Sequence, residues 1–264
     1  MEKEVKKRIQ TELAKIEEQF GVKIIYACES GSRAWGFASQ DSDYDVRFLY
    51  LHPTDWYLTI RNKRDVIELP ITDELDISGW DIRKTLQLLR KSNPALLEWM
   101  QSPIVYRQDD ELFDLIKKLI PEFYSPIGCL YHYLNMAKDN RKTHLEGSKV
   151  WLKKYLYVLR PVLACMWIEQ DRGPAPTEFH KLVDAIVLDN KLREGIDKLL
   201  KHKMAGKESD KGPKIPVISE FIDEQIERLE SVHAEPSNTR DPETMDQTFR
   251  NILDITEQKS NLNT

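Results

Sequence analysis

The spacing of hydrophobic residues changes near residue 80 of this chain. Before that point, stretches with helical spacing alternate with short β-branched runs, whereas after it nearly every stretch repeats apolar residues at every third or fourth position. The first stretch, residues 3–20, predicts a helix with one apolar face, and Gly21 ends it. The pattern therefore predicts a sheet in the first part of the chain and helices in the rest.

Four β-strands are predicted in the N-terminal part, and helices fill the remainder. The strands are expected at residues 22–28, 43–50, 64–71 and 74–80. A short polar turn and helix lies between the first two. Helical spacing starts at Asp81 and continues near residues 94–101, 109–119, 126–145, 147–170, 177–188, 191–204, 216–230 and 242–257. Residues 202–216 are charged and contain glycine and proline, which favours a loop.

These elements predict an α+β fold in which a small mixed β-sheet core precedes a helical C-terminal half. We place the boundary so that residues 1–107 form the sheet domain and residues 108–264 form the helical domain. The alternative is one domain in which the helical half packs directly on the sheet. With 264 residues, 41% of them hydrophobic, the chain is long enough for either arrangement.

Composition and charge exclude several classes of protein. The 39 basic and 44 acidic residues leave a formal net charge of -5, which excludes a globally basic nucleic-acid-binding protein but not a local basic groove. No run of about 18 uncharged apolar residues is present, so we expect no transmembrane helix. The three cysteines lie far apart among apolar residues and predict reduced thiols in a cytoplasmic protein.

The strongest chemical signal begins with Gly31-Ser32. This pair follows a predicted strand and opens a short helix. Glycine lets the backbone approach a ligand closely, and amides at a helix start, together with the serine hydroxyl, suit a phosphate. Taken alone, a Gly-Ser pair after a strand is more often a plain turn.

Three aspartates add a second signal. Asp43 and Asp45 alternate at the start of a predicted strand, so their side chains point the same way and favour a shared divalent cation such as magnesium. The alternative for this pair is a solvated acidic turn. Asp76 is flanked by apolar residues inside another predicted strand, where an unpaired acid is costly. Asp81, expected to cap a helix, is the alternative third carboxylate. Three carboxylates and a phosphate-binding turn together indicate a two-metal phosphoryl-transfer site.

The order of these motifs resembles a known superfamily. Gly31-Ser32, a ten-residue gap, Asp43-x-Asp45 and a later apolar-Asp-apolar strand are similar to the DNA polymerase β-like nucleotidyltransferases. The fuller string GSRAWGFASQDSDYDVRFLY, followed by LDI and GWD, resembles the YcgL/RlaP type, whose RlaP members are associated with RNA ligases in RNA repair. The resemblance covers about residues 22–107 and continues weakly to Pro161.

The resemblance implies a polymerase β-like palm as the nucleotidyltransferase core and a role for each motif. Gly31 and Ser32 would hold the terminal phosphates of an NTP. Asp43 and Asp45 would bind two magnesium ions, with manganese as a substitute, one ion being shared with the triphosphate. Asp76 would ligate the catalytic metal and orient or deprotonate the acceptor hydroxyl. An acceptor oxygen would attack the α-phosphate in line, and pyrophosphate would leave.

Further candidates for nucleotide binding are basic or aromatic. Arg33 and Arg47 suit bidentate phosphate contacts, although Arg47 is equally suited to neutralising Asp45. Glu29 is close enough in sequence to reach the site, but a role there is not the favoured interpretation. One predicted helix face carries a stripe that would close over a triphosphate and base, formed by Lys153, Tyr157 and Arg160. The alternative for this stripe is a solvated lysine pair beside ordinary core packing.

The predicted function is magnesium-dependent transfer of a nucleoside monophosphate from an NTP to an RNA end, a protein side chain or a small molecule. The RNA-repair association favours RNA. One rival is a nucleotide-binding module without turnover, which the clustered carboxylates disfavour. Another is the nucleotidyltransferase component of a toxin–antitoxin pair, which the chain's own helical half disfavours. No membrane partner is expected, and neither the NTP base nor the oligomeric state is predicted.

Overall fold

A five-stranded mixed sheet is built from the first part of the chain. The computed structural model describes residues 2–72, 74–205, 211–232 and 241–262. The strands of the sheet are β1 (Lys23–Glu29), β2 (Tyr44–Leu51), β3 (Val66–Glu68), β4 (Leu75–Asp81) and β5 (Val105–Gln108). They lie in the order β3-β4-β2-β1-β5. Only β2 and β4 pair in parallel, and the other neighbours are antiparallel.

Helices surround this sheet and make up most of the remaining chain. Those that accompany the sheet are α1 (Glu2–Phe20), α2 (Gly31–Trp35), α3 (Thr54–Tyr57), α4 (Ile82–Arg90) and α5 (Pro94–Met100). Those that follow it are α6 (Asp110–Lys118), α7 (Ile120–Phe123), α8 (Pro126–His144), α9 (Lys154–Glu169), α10 (Phe179–Ile186), α11 (Asn190–Met204), α12 (Pro216–Glu230) and α13 (Pro242–Leu262). A second sheet pairs β6 (Lys149–Trp151) with β7 (Lys211–Pro213).

The two faces of the main sheet pack against different partners because side chains alternate along each strand. Helix α1 covers one face, where its apolar residues belong to the same core cluster as Val46 and Phe48. The other face joins a larger core that runs without interruption from Ile25 to residues of α9, α12 and α13. The helical half therefore packs directly on the sheet. The boundary between residues 107 and 108 stays a prediction.

The helical half also holds the loop that precedes β2. Lys203 of α11 is buried, and its ammonium donates hydrogen bonds to Ser39 Oγ at 3.0 Å and Ser42 Oγ at 3.3 Å. A buried cation needs such oxygen partners to offset the loss of water. This contact fixes the loop leading to Asp43 from a position 164 residues further along the chain.

The structure confirms the predicted α+β class, with a mixed sheet followed by a helical half. The helix predicted at 147–170 is wrong at its start, because Gly147 has a φ of +89°, outside the helical region, and 149–151 form β6. Of the loop predicted at 202–216, residues 206–210 lie outside the described residues, and 211–213 form β7.

All three cysteines are buried free thiols, as predicted. No helix within the described part of the chain combines the length and the apolar character needed to cross a membrane.

Candidate active site

Asp45 and Asp76 lie side by side on the parallel strands β2 and β4. Their Cα atoms are register partners, so both side chains leave the same face of the sheet. Between them lies the guanidinium of Arg47, whose Nη2 donates to Asp45 Oδ1 at 3.1 Å and to Asp76 Oδ2 at 2.7 Å. The two carboxylates therefore converge on one positive charge. Arg47 is the counter-ion of both, which extends the alternative suggested by its position in the sequence.

The Gly-Ser turn lies directly against Asp45. The backbone N–H of Ser30 donates to the carbonyl of Asp45 at 2.8 Å, which fixes the start of α2 beside β2. Gly31 has a φ of +58°, and a Cβ added there would lie 2.0 Å from Asp45 Oδ2. Only glycine allows both this backbone conformation and this close approach. The structure thus brings together the two motifs that are separated in the sequence.

Asp43 and Arg33 flank this centre. Asp43 is exposed just before β2, and its carbonyl accepts a hydrogen bond from Arg33 Nε at 3.1 Å. Arg33 Nη2 donates to the Ser42 carbonyl at 2.6 Å, and the guanidinium lies 3.7 Å from the centre of the Tyr44 ring. Arg33 is therefore held in a fixed orientation beside the acidic strand end, while Ser32 is buried within α2.

Asp81 has a different role from Asp76. It is buried at the end of β4 and caps α4, accepting a hydrogen bond from the Arg83 N–H at 2.8 Å. Its second oxygen accepts from the Tyr57 hydroxyl at 2.7 Å. The predicted capping role of Asp81 is confirmed. Asp76 is then the carboxylate that the fold places beside Asp45.

The site has the donor chemistry of a divalent-cation site, although it is not a complete one. Burial raises the pKa of Asp45, and the charges of Asp76 and Asp43 add to this effect while Arg47 opposes it. Carboxylate oxygens directed at one cation are what magnesium prefers. Among the described residues, no three His, Cys, Asp or Glu side chains are grouped closely enough to hold an ion by themselves. Asp45 and Asp76 fit such a cation at the position where they now meet Arg47.

Glu29 supports this centre from within the protein, a role not favoured from the sequence. One of its oxygens accepts the Asp45 N–H at 2.7 Å, and the other accepts the hydroxyl of Tyr106. Ser102 Oγ donates to the Glu29 carbonyl at 2.6 Å. Burial raises the pKa of Glu29 to about 7, and the hydrogen bonds only partly oppose it. The sequence signal for this role of Glu29 is its position at the end of an apolar strand, next to the Gly-Ser turn.

Replacing Glu29 with Gln is expected to raise the free energy of unfolding above that of the unchanged protein, by an amount that grows as pH rises. The folded protein holds the Glu29 proton more tightly than an ordinary carboxyl of pKa 4.5, so ionisation opposes folding. This cost grows from about pH 4.5 to about pH 7 and is complete above it, at most about 3 kcal/mol. Urea unfolding at pH 5 and pH 8 should show the gap between Glu29→Gln and the unchanged protein widening at pH 8. Exposed Glu18→Gln is the control, and parallel pH profiles for all three proteins would contradict the assignment.

The predicted basic and aromatic helix stripe divides between the surface and the core. Tyr157 on α9 packs edge-to-face with Trp35 on α2, with 5.3 Å between the ring centres. The Lys154 ammonium lies over the Tyr157 ring. Lys153 is half-buried at the start of the same helix. Tyr157 therefore lies next to the helix that the Gly-Ser turn opens.

Arg160 does not share this position. It is 2% exposed, and its Nη1 donates to Glu98 Oε1 at 2.5 Å inside the core. The helix turns this residue inward, towards α5, so a nucleotide has no surface of Arg160 to contact. We correct the nucleotide-binding prediction for this residue on that ground.

Comparisons with known proteins bear on these observations. The model of the RNA repair pathway DNA polymerase beta family, RlaP, matches residues 5–251. A protein of Bacillus subtilis (strain 168) named YcgL is 51% identical over 225 residues, covering 85% of this chain and 86% of that protein. A crystal structure of a nucleotidyltransferase-like protein from Exiguobacterium sibiricum 255-15 has 14% identity and a TM-score of 0.31, covering 82% of this chain and 71% of that one. Similarity at this last level does not bear on the site.

The family match extends well beyond the motif-bearing strands. It begins in α1, which covers one face of the sheet, and ends in α13, which packs against α4 and α6. The family and the fold indicate a nucleotidyltransferase-like protein, and the match takes in the helical half as well as the sheet. Since the match takes in the Gly-Ser turn, both acidic strands and the helices that hold them, the chain belongs to the RNA repair pathway DNA polymerase beta family.

Proposed function

We propose that this protein is a magnesium-dependent nucleotidyltransferase that moves a nucleoside monophosphate from an NTP to an acceptor and releases pyrophosphate. The observation that carries the proposal is the position of Asp45. Its carboxylate lies between the Gly31 turn, where a Cβ would collide with it, and Asp76 on the neighbouring strand. A phosphate-binding turn and an acidic pair in contact are what transfer of a phosphoryl group requires.

Each residue of this centre is proposed to have a role that follows from its position. Asp43, Asp45 and Asp76 would hold the magnesium, and the absence of a Cβ at Gly31 would let triphosphate oxygens come near the same carboxylates. A bound divalent ion supplies neutralisation of the charge on the entering and leaving oxygens. Arg47 now neutralises both acids, and the same guanidinium is suited to a phosphate oxygen.

The reaction proposed at this centre is a single displacement. The acceptor oxygen forms a bond to the α-phosphorus while the bond between the α-phosphorus and the bridging oxygen breaks, and pyrophosphate leaves. Asp76 is the carboxylate proposed to orient the acceptor hydroxyl and to receive its proton, because its partner Asp45 lies against the phosphate turn. Among acceptors, the RNA-repair context of the family favours an RNA end over a protein side chain or a small molecule.

The helical half is proposed to complete the nucleotide site. Tyr157 contacts Trp35 at the end of the helix that starts with the Gly-Ser pair, and Lys154 lies over the Tyr157 ring. Lys153 immediately precedes Lys154, at the N-cap of the same helix. A nucleotide whose phosphates rest at Gly31-Ser32 would have a tyrosine and two lysines within the same region. Lys153 and Tyr157 therefore stay in the proposed nucleotide-binding set.

A label-transfer assay tests the proposal. The full chain is incubated with magnesium and each α-labelled NTP in turn, first with total cell RNA and then with cell protein. We expect label to enter one of these pools with release of pyrophosphate, and to be absent with an Asp43→Asn/Asp45→Asn double variant. Equal labelling by the double variant would refute the site.

Two other outcomes would support the rival functions. Magnesium-dependent NTP binding without pyrophosphate release would favour a nucleotide-binding module. Transfer that appears only with a co-purifying partner protein would favour one component of a toxin–antitoxin pair. Repeating the assay on protein purified with and without its cellular partners separates these two results.

A further inference from the structure

A cavity lies beside the acidic centre, on the other face of the sheet. It has a volume of about 460 Å³ and is bounded by α1, by the segment around the end of α2 and by the edge strand β5. Tyr44, which lines it, neighbours Asp45 on β2 and so points to the opposite face. The volume is within the range of small-molecule sites in proteins.

The cavity is positively charged. Lys3 and Lys6 line it from one side of α1, and Arg33 lines it from α2, whereas no acidic residue among those described does so. Lys3 and Lys6 are one helical turn apart and share a helix face. In the described part of the chain neither lysine is ion-paired, unlike Lys15 of the same helix, which pairs with Glu12. The cavity therefore has a surplus of positive charge that suits an anion.

The remaining lining is apolar or aromatic and includes Ile9, Ile104 and the rings of Tyr44 and Tyr106. Ile104 is 39% exposed and so contributes apolar surface to this lining. Arg33 is pre-positioned here by its carbonyl contacts and by the Tyr44 ring. A ligand with a phosphate and a flat, partly apolar ring system satisfies both kinds of lining.

Two hydrogen-bonded connections join the cavity to the catalytic strand. Arg33 donates to the carbonyl of Asp43, so its position depends on the backbone that carries this carboxylate. Tyr106 donates to Glu29, which accepts the N–H of Asp45 through its other oxygen. A ligand resting on Arg33 and Tyr106 would contact the groups that hold both aspartates. The cavity is thus connected to the reaction centre while being separate from it.

We infer that this cavity is a second nucleotide site, which binds a nucleoside phosphate unit with its phosphate near Lys3, Lys6 and Arg33. The inference rests on the proposed function, since it assigns to this enzyme an accessory site for nucleotide outside the one that holds the NTP. The unit is either a free nucleotide or one residue of a single-stranded RNA. The two sources share the same phosphate and ring chemistry.

Binding measured without magnesium or NTP tests the inference independently of turnover. In EDTA, the full chain is titrated into a fluorescein-labelled oligoadenylate of about ten nucleotides, and binding is measured by fluorescence anisotropy. In a separate experiment, AMP is titrated into the full chain, and binding is measured by calorimetry. The test variant is Lys6→Glu. The matched control is Lys7→Glu, which makes the same charge change at the next residue of α1, exposed but outside the cavity.

We expect at least one probe to bind, with Kd about tenfold weaker for Lys6→Glu and within about twofold of the unchanged protein for Lys7→Glu. Binding of the oligoadenylate that AMP fails to displace identifies an RNA strand as the source, whereas displacement by AMP identifies a free nucleotide. Equal weakening by both variants, or no binding of either probe, would overturn the inference. Because no transfer is measured, a failed label-transfer assay leaves this result unaffected.

Discussion

Replacing Asp45 with asparagine is expected to lower the rate of nucleotide transfer by roughly a thousandfold. Asparagine keeps the shape of the side chain against Gly31 but removes the negative charge that faces Asp76 and Arg47. Burial already raises the pKa of Asp45, so the neutral replacement costs little folding free energy. Tm should stay within about 3 °C of the unchanged protein. Initial rates of label transfer and a thermal melt of the same preparation measure the two effects.

Two companion variants make this result specific. Asp41→Asn removes a charge from the same loop at an exposed position and should leave the rate within about twofold. Asp76→Asn should also lower the rate strongly while affecting NTP binding less, because Asp76 is the carboxylate assigned to the acceptor. If Asp45→Asn and Asp41→Asn have similar rates, the acidic turn is solvated and not catalytic. If Asp76→Asn only unfolds the protein, Asp76 is structural.

Replacing Arg160 with methionine is expected to destabilise the protein by about 3–5 kcal/mol. Arg160 and Glu98 form an ion pair in the core at 2.5 Å, and both side chains are almost fully buried. Methionine fills similar space but leaves the Glu98 carboxylate without its cation, although Tyr133 and Trp35 still donate to it. A drop in Tm of about 10 °C, together with a lower urea midpoint, would be the measured effect.

The second partner of the pair provides the control. A double variant, Glu98→Gln with Arg160→Met, should recover part of the loss, since no buried charge is then left unpaired. Arg193→Met breaks an exposed ion pair with Asp184 and should cost less than about 1 kcal/mol. If Arg160→Met is as mild as Arg193→Met, the core pair contributes little. A nucleotide-binding role for Arg160 would instead lower NTP affinity without this loss of stability.

The acidic centre was accessible from the sequence because it depends on local rules. Alternation along a strand places Asp43 and Asp45 on one face, and an acid within an apolar strand marks Asp76. The parallel pairing that sets Asp76 opposite Asp45 requires knowledge of the strand order, which a single sequence does not contain. For the same reason, the sequence predicts the pairing of Arg47 with Asp45 but not its pairing with Asp76.

The features that the sequence does not predict all depend on contacts between residues that lie far apart in the chain. Strand β5 has four residues with no buried position, and only its pairing with β1 makes it a strand. Strands β6 and β7 are three residues each and come from segments about 60 residues apart. Arg160 lies on a helix, as its spacing predicts. Its side chain faces the core, where it pairs with Glu98 on another helix. Glu29 likewise gains its role through Tyr106, 77 residues away.

The hydrogen bonds from Lys203 to Ser39 and Ser42 have a consequence for the order in which the protein is synthesised. The loop that leads to Asp43 leaves the ribosome before its buried cation, which lies 164 residues further along the chain. At ordinary rates of synthesis this is a delay on the order of ten to thirty seconds. During that time the nascent sheet lacks the anchor for its acidic loop. The acidic loop therefore gains its buried anchor only when most of the helical half has been synthesised.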